Sequence, residues 1–381
     1  MGSVIDKQRL AVVDGLRGIA ILLVIYQHAF AGGLIEPFKK ITGFTFPYII
    51  VDAWMGVSFF FVLSGFVLAL PYFTGKRSIL SQGEIKRYYL HRANRLLPLF
   101  VFVTFVSLAF YIHKGEIGKY RDVLMMLSTT SMFSNTFFFP SINPAFWSLM
   151  VEIWFSIALP AVLISINKFG IKRTAAAILV TALALRIGGS YYEFGMVIIN
   201  PVKDFFIARC DDFMAGMIVC YLYVNGKLPN KPKSCLIIGI ILVACAALTW
   251  DLITLEKIPR VIGAFTNIFA SVGFSLVLVA ALKSKSWLSK FFSMWWLRLL
   301  GAMCFSIYCW HLLVVSQPLL ENPGKLKIEM QFWITLLLLS AFTYRYIECA
   351  KEVSAKKVFM LDSSSSIYRL YKMFMSKFHK P

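Results

Sequence analysis

"DGLRGIAILLVIYQHAF", residues 14–30, is apolar enough to enter a bilayer, yet it starts beside Arg17 and closes on His28. Residues eleven apart on an α-helix lie within roughly 20° of one face and about 16 Å apart along the axis. Arg17 and His28 therefore share a face at two depths. Arg17 has an ordinary reading, snorkelling to the interface or pairing with Asp14 at i, i+3, beside a functional one. His28 has fewer excuses, because an ionisable side chain deep in a span is unfavourable and faces a cavity or a partner. The alternative for it is a structural, hydrogen-bonded histidine.

Working outward, 59% of the 381 residues are hydrophobic and 15% are charged, against about 45–50% and about 25% in soluble proteins. The chain reads as an all-α polytopic membrane protein. About ten transmembrane helices, each near the roughly 20 residues a span needs, are expected at 11–32, 49–71, 96–112, 146–166, 174–190, 205–224, 235–250, 262–282, 299–319 and 329–348. One transmembrane domain then fills residues 1–350, and 351–381 form a basic cytoplasmic tail. That tail either lies on the inner leaflet through its aromatic and Met residues or is disordered.

A net charge of +20 would suggest nucleic acid in a soluble protein, but here Lys and Arg concentrate in short loops. With both termini cytoplasmic, 25 of the 39 fall inside and ten outside, as the positive-inside rule requires. Membrane lipids, not nucleic acid, are the expected surroundings. The segment "DVLMMLSTTSMFSNTFFFP" at 122–140 is apolar enough to be an eleventh span, but it would reverse the later loops, placing five Lys/Arg inside and 17 outside. It is read as an outside loop that dips into the membrane. Seven cysteines give no disulfide framework, and the first span reads as an uncleaved anchor, not a signal peptide.

Four further stretches carry polar groups inside apolar surroundings. "VSFFFVLSGFVLAL" (57–70) holds Ser64 and Gly65, a small pair that by itself marks close helix packing. "KRYYLHRANRLLPLF" (86–100) stacks Arg92 and Arg95 at i, i+3 on the cytoplasmic side, either as an orientation signal or as a docking site for phosphates. "NPAFWSLMVEIWF" (143–155) places Trp147, Ser148 and Glu152 at the start of a span, with Ser148 and Glu152 at i, i+4. A carboxylate there needs a partner, and the spanning candidates are Arg17, His28, Arg186, Arg209 and His311. "LGAMCFSIYCWHLLV" (300–314) adds Ser306, Tyr308, Trp310 and His311. A phosphate-cradling loop, a metal-spaced Cys/His cluster, a G-x-S-x-G elbow and H-E-x-x-H are all absent from the sequence, so no metal is expected.

Taken together these stretches resemble the acyltransferase-3 family of integral membrane O-acyltransferases. The resemblance rests on the Arg-x10-His spacing of "DGLRGIAILLVIYQH", on "FFFVLSGF", on the R-x-x-R of "HRANRLLP", on "NPAFWSLMVEIWF" and on "LGAMCFSIYCWH", in family order over residues 9 to about 348. Many relatives carry two acidic residues after the Trp-Ser. Here Val151-Glu152-Ile153 leaves Glu152 alone for that role. The chain also resembles the form without an appended extracytoplasmic hydrolase-like domain.

The resemblance implies transfer of an acyl group, most often acetyl, from acyl-coenzyme A to a hydroxyl of a bacterial surface polysaccharide such as O-antigen, capsule or exopolysaccharide. It places the chain in the bacterial inner membrane as a multi-pass protein. The residues suit that chemistry. His28 is a natural general base for an alcohol, and Glu152 or another acid is expected to hold the imidazole's tautomer. Arg17, Arg92 and Arg95 are expected to grip the phosphates of the donor, acetyl-CoA. Asp14, Ser64, Trp147, Ser148 and His311 are expected to support substrate or site. A transporter or flippase, using intramembrane Arg, His and Glu as a path, is the alternative, although paired Gly/Pro-broken helices in corresponding halves are lacking. A non-catalytic anchoring subunit would have no need of His28 or Glu152 in lipid.

Overall fold

The computed structural model describes residues 7–30, 55–79, 81–115, 120–134, 138–191, 200–283, 287–321, 325–350 and 358–359, and no strand occurs among them. Helices stand at all ten expected positions. They begin with α1 (Lys7–Ala29), α2 (Gly56–Phe73), α3 (Gln82–His113) and a short α4 (Tyr120–Leu127). After these come α5 (Phe146–Phe169), α6 (Ile171–Gly189), α7 (Cys210–Val224), α8 (Pro232–Thr254) and α9 (Gly263–Lys283). The set ends with α10 (Trp287–Phe292), α11 (Trp295–Ala302), α12 (Cys304–Val314), α13 (Gln317–Glu321) and α14 (Leu326–Thr343), which runs on into a π-helical turn at Tyr344–Glu348.

Seven of these segments are long and apolar enough to cross a membrane, and α11 with α12, bent by 75° at Met303, forms an eighth. The other two expected spans are weaker for stated reasons. α6 carries Lys172, Arg173 and Arg186 within its 19 residues. α7 has only 15 residues, about 22 Å of helix against a hydrocarbon core of about 30 Å. Exposed side chains such as Phe105, Ile164, Val180, Ile238 and Leu338 cover the outer surface, as expected of helices that face lipid.

Among its described residues the segment at 122–140 forms no helix long enough to cross a membrane. α4 and a single 3-10 turn at Thr130–Phe133 divide it. It folds back on the bundle, where the Trp154 indole donates to the Thr129 carbonyl at 2.9 Å and the Ser141 amide donates to Asp122 at 2.9 Å. All seven cysteines are free thiols. Of the tail, only Val358 and Phe359 lie within the described residues, so its disposition falls outside them.

Close backbone approach decides which helices meet around the site. A methyl group on Gly18 would strike the Leu297 carbonyl, and one on Gly301 the Asp14 carbonyl, so α1 and α11 touch backbone to backbone. Gly65 and Gly216 do the same for α2 and α7. Small residues permit this packing in apolar surroundings, and here the approach brings the two ends of the sequence together.

Candidate active site

The five sequence motifs converge on α1. The R-x-x-R of α3 meets α5 through Arg92, whose guanidinium donates to the Ser156 hydroxyl at 3.0–3.2 Å and pairs with Glu152 at 3.1 Å. Tyr88, one turn earlier, donates to the Ser156 carbonyl at 2.8 Å. The start of α5 meets α12: Asn143 donates to the Cys309 carbonyl at 3.1 Å, and Tyr308 donates to the Ala145 carbonyl at 2.6 Å. That uses the single Tyr308 proton, so Ser148 is the donor in its 2.5 Å contact with Tyr308. α12 meets α1 through His311, whose ring centre is 5.0 Å from that of His28.

Two cavities open along α1. The first, about 50 Å³, is lined by Arg17, Ser64, Arg95, Ser148, Glu152 and Tyr308 among others. Arg17 feels Asp14, Glu152 and Glu348 electrostatically, but among the described residues neither Arg17 nor Arg95 has a carboxylate within ion-pair distance. Glu152 is engaged by Arg92, and Glu348 accepts a short hydrogen bond from Ser306. Two guanidinium groups thus face one small space with their charge uncompensated by direct contact, an arrangement suited to phosphate or another anion.

The second cavity, about 170 Å³, lies further along the same helix and is lined by Val24, Gln27, His28, Trp147, Arg186, Lys203, Asp204, Arg209, Trp250 and Asn267 among others. Val57 of α2 lines both cavities and is their shared wall. His28 is exposed here. Its Nδ1 lies 2.9 Å from the Val24 carbonyl. A carbonyl only accepts, so Nδ1 carries the proton and Nε2 presents a lone pair. Buried His311 is held the same way, Nδ1 donating to the Tyr308 carbonyl at 2.6 Å, and its Nε2 has no hydrogen-bond partner among the described residues.

The sequence expectations fare differently residue by residue. Arg17 and Arg95 line the first cavity and His28 the second, each facing space rather than lipid. Ser64, Ser148 and Trp147 also line a cavity, and Asp14 sits partly buried at the contact of α1 with α11. Two readings need correction. Glu152 does not hold the His28 tautomer, because the Val24 carbonyl does so within the same helix turn. Arg92 is not among the residues lining the first cavity; its Nε and one terminal nitrogen are turned to Ser156 and Glu152. Nor is the partner of Glu152 one of the five spanning candidates.

Sequence reasoning named Arg186 and Arg209 only as possible partners for Glu152. The structure gives them to a buried acidic cluster. Arg186 makes a bidentate pair with Asp211 at 3.1 and 2.5 Å. Arg209 pairs with Asp212 at 2.9 Å and Asp204 at 3.5 Å, and donates to Ser58 at 2.8 Å. The signal was present as Asp211-Asp212 at the start of an apolar helix, since acids there call for internal cations. Lys203, Trp250 and Asn267 carried no local signal.

These features define a class: a polytopic helical membrane protein with a basic cavity and an imidazole-lined cavity side by side along its first helix. The chain belongs to the acyltransferase-3 family, whose acyltransferase domain matches residues 10–344. It is similar to the peptidoglycan O-acetyltransferase OatA of Listeria monocytogenes, 25% identical over 369 residues, covering 88% of this chain and 54% of that protein. It is also similar to the Bacillus subtilis protein named "Putative peptidoglycan O-acetyltransferase YrhL", 25% identical over 366 residues with 88% and 54% covered. The chain spans about half the length of the curated relatives it matches. No solved structure matches it.

Proposed function

We propose that the chain is a membrane O-acetyltransferase that takes acetyl from acetyl-CoA and transfers it to a hydroxyl of a surface polysaccharide in the bacterial inner membrane. The observation that carries this reading is the pair of cavities on α1, one lined by Arg17 and Arg95, which have no ion pair among the described residues, the other by His28, whose Nδ1 is held by Val24, with Val57 lining both. The charge distribution of the loops supports a cytoplasmic N-terminus. Arg17 then lies at the end from which a phosphate-bearing donor arrives, and His28 about 16 Å deeper, at a depth a thin pantetheine arm spans.

The chemistry follows from the tautomer. The acceptor hydroxyl gives its proton to His28 Nε2 as its oxygen forms a bond to the thioester carbonyl carbon. The carbon–sulfur bond then breaks, and the imidazolium returns the proton to the leaving thiolate. Ester and thiol are the products, and nothing else is consumed. The Val24 carbonyl keeps the proton on Nδ1 and stabilises the imidazolium. His311, against the His28 ring, limits its rotation. Glu152 and Arg92 brace α3 against α5 and so set the position of Arg95.

The test uses protein reconstituted in vesicles with acetyl-labelled acetyl-CoA and a soluble oligosaccharide acceptor. The wild type is expected to label the acceptor, and His28→Ala to lose on the order of 10²–10⁴ of that rate while remaining folded and inserted. Full transfer by His28→Ala removes the proposed base, and a wild type that moves acceptor across the membrane without labelling it favours the transporter reading.

A further inference from the structure

The wall of the second cavity carries a cation, Lys203, that the transfer chemistry does not use. Of its cations, Arg186 is matched by Asp211, and Arg209 by Asp212 and Asp204. Lys203 has no ion pair among the described residues. Its ammonium nitrogen sits 5.8 Å from the centre of the Trp250 ring. Asp204, the nearest acid in sequence, is occupied, accepting from the Asn200 amide at 3.0 Å as well as pairing with Arg209.

The corner that presents Lys203 is built. Asn200 accepts from the amides of Val202 at 2.8 Å and Lys203 at 3.2 Å, and donates to the Gly189 carbonyl at 3.0 Å. The side-chain stem crosses the bare α-carbon of Gly189, where a methyl group would sit 2.8 Å from Lys203 Cγ. Burial, with the Arg260 guanidinium adding to it, pushes the Lys203 ammonium below the ordinary lysine range, and Asp204 opposes the shift. An anionic guest would restore what burial removes.

We infer that the second cavity is an acceptor subsite for an anionic glycan, with Lys203 binding a carboxylate or phosphate on the sugar whose hydroxyl faces His28. This rests on the transferase reading and names its acceptor class. The flat rings of Trp147 and Trp250 and the amide of Asn267 line the same space, offering apolar faces and one polar contact to a sugar ring. Both arginines already hold buried carboxylates, and Lys203 is the cation of this wall without an ion pair among the described residues, so the anion is assigned to Lys203.

Three acceptors separate the possibilities: methyl glucoside, methyl glucuronoside and glucose 1-phosphate. The wild type is expected to prefer one of the anions over the neutral sugar on the order of tenfold or more in kcat/KM. Preference for the glucuronoside assigns a sugar carboxylate, and preference for the phosphate assigns a phosphorylated or lipid-pyrophosphate-linked sugar. Lys203→Met is expected to bring the ratio toward one through KM for the anion, and Lys203→Arg to restore most of it. Gly189→Ala, which displaces the stem and leaves the charge, is expected to lower the ratio in part. Transfer to all three acceptors at one rate, or a preference that survives Lys203→Met, overturns the inference and leaves the transferase standing. Binding of methyl glucuronoside to the detergent-solubilised protein without donor, followed by saturation-transfer NMR, decides the matter apart from catalysis. Glucose 1-phosphate is measured in the same way; binding of either anion that is lost in Lys203→Met supports the subsite even if no acetyl is transferred, and no binding of either anion by the wild type refutes it.

Discussion

One pair of arginines serves each cavity, and the two pairs are treated in opposite ways. Arg186 and Arg209, beside the second cavity, have exposures of 1% and 2% and are matched to Asp211, Asp212 and Asp204. Arg17 and Arg95, in the first, have no carboxylate within ion-pair distance among the described residues. A saturated buried arginine is part of the scaffold, because removing either partner strands a charge. An unsaturated one facing a cavity is free to meet an anion, the role proposed here for Arg17 and Arg95. Residue type and hydrophobic surroundings are alike in the two pairs, so pairing, not position in a span, is what distinguishes support from binding.

That contrast can be broken at several points. The largest effect is expected for Arg186→Met, which leaves Asp211 uncompensated and should destabilise the fold by about 3–5 kcal/mol, read as loss of the detergent-solubilised protein's unfolding transition. Adding Asp211→Leu should recover most of that loss, since two apolar groups replace a pair at little net change. If Arg186→Met alone is as stable as the wild type, the scaffold role falls. Arg17→Gln and Arg95→Gln come next. On the proposed reading each would remove a charge-assisted contact to the donor worth about 1.5–3 kcal/mol, so KM for acetyl-CoA should rise on the order of tenfold or more with no drop in thermal stability. A stability loss without a KM change would place them with the other pair.

The smallest effect is expected for Arg92→Lys. A lysine keeps the charge toward Glu152 but loses the fork to Ser156, and the pair is partly exposed, at 12% and 25% for its side chains. About 1 kcal/mol of stability or less should go, with a few-fold change in transfer. An effect as large as that of Arg95→Gln would mean that Arg92 touches the donor itself.

The helices were legible because long apolar runs leave few other states, and the shared face of Arg17 and His28 followed from helical periodicity alone. What could not be read were relations set by the fold. The atom that fixes the His28 tautomer is a backbone carbonyl, and backbone atoms carry no sequence signature. The sequence offers Glu152 only distant spanning cations, whereas its partner Arg92 lies near the start of α3, brought there by the Tyr88 and Ser156 contact. Lys203 looked like one more loop lysine. Only the ordered corner at Asn200 and the slot at Gly189 turn it into a lining residue. α7 was legible as apolar but not as short, since its acids became intelligible once Arg186 and Arg209 were seen beside them.

Val57 has a consequence for the cell's energetics. On the proposed reading a donor arm would cross from one cavity to the other, and such a route, if left open between two aqueous compartments, would drain the proton gradient of the membrane. An aliphatic side chain at the junction excludes hydrated ions, whose shells are too strongly held to be shed beside a hydrocarbon group, yet yields to a slender, uncharged thread. On the proposed transferase reading, a chemical group would then pass without short-circuiting the membrane around it.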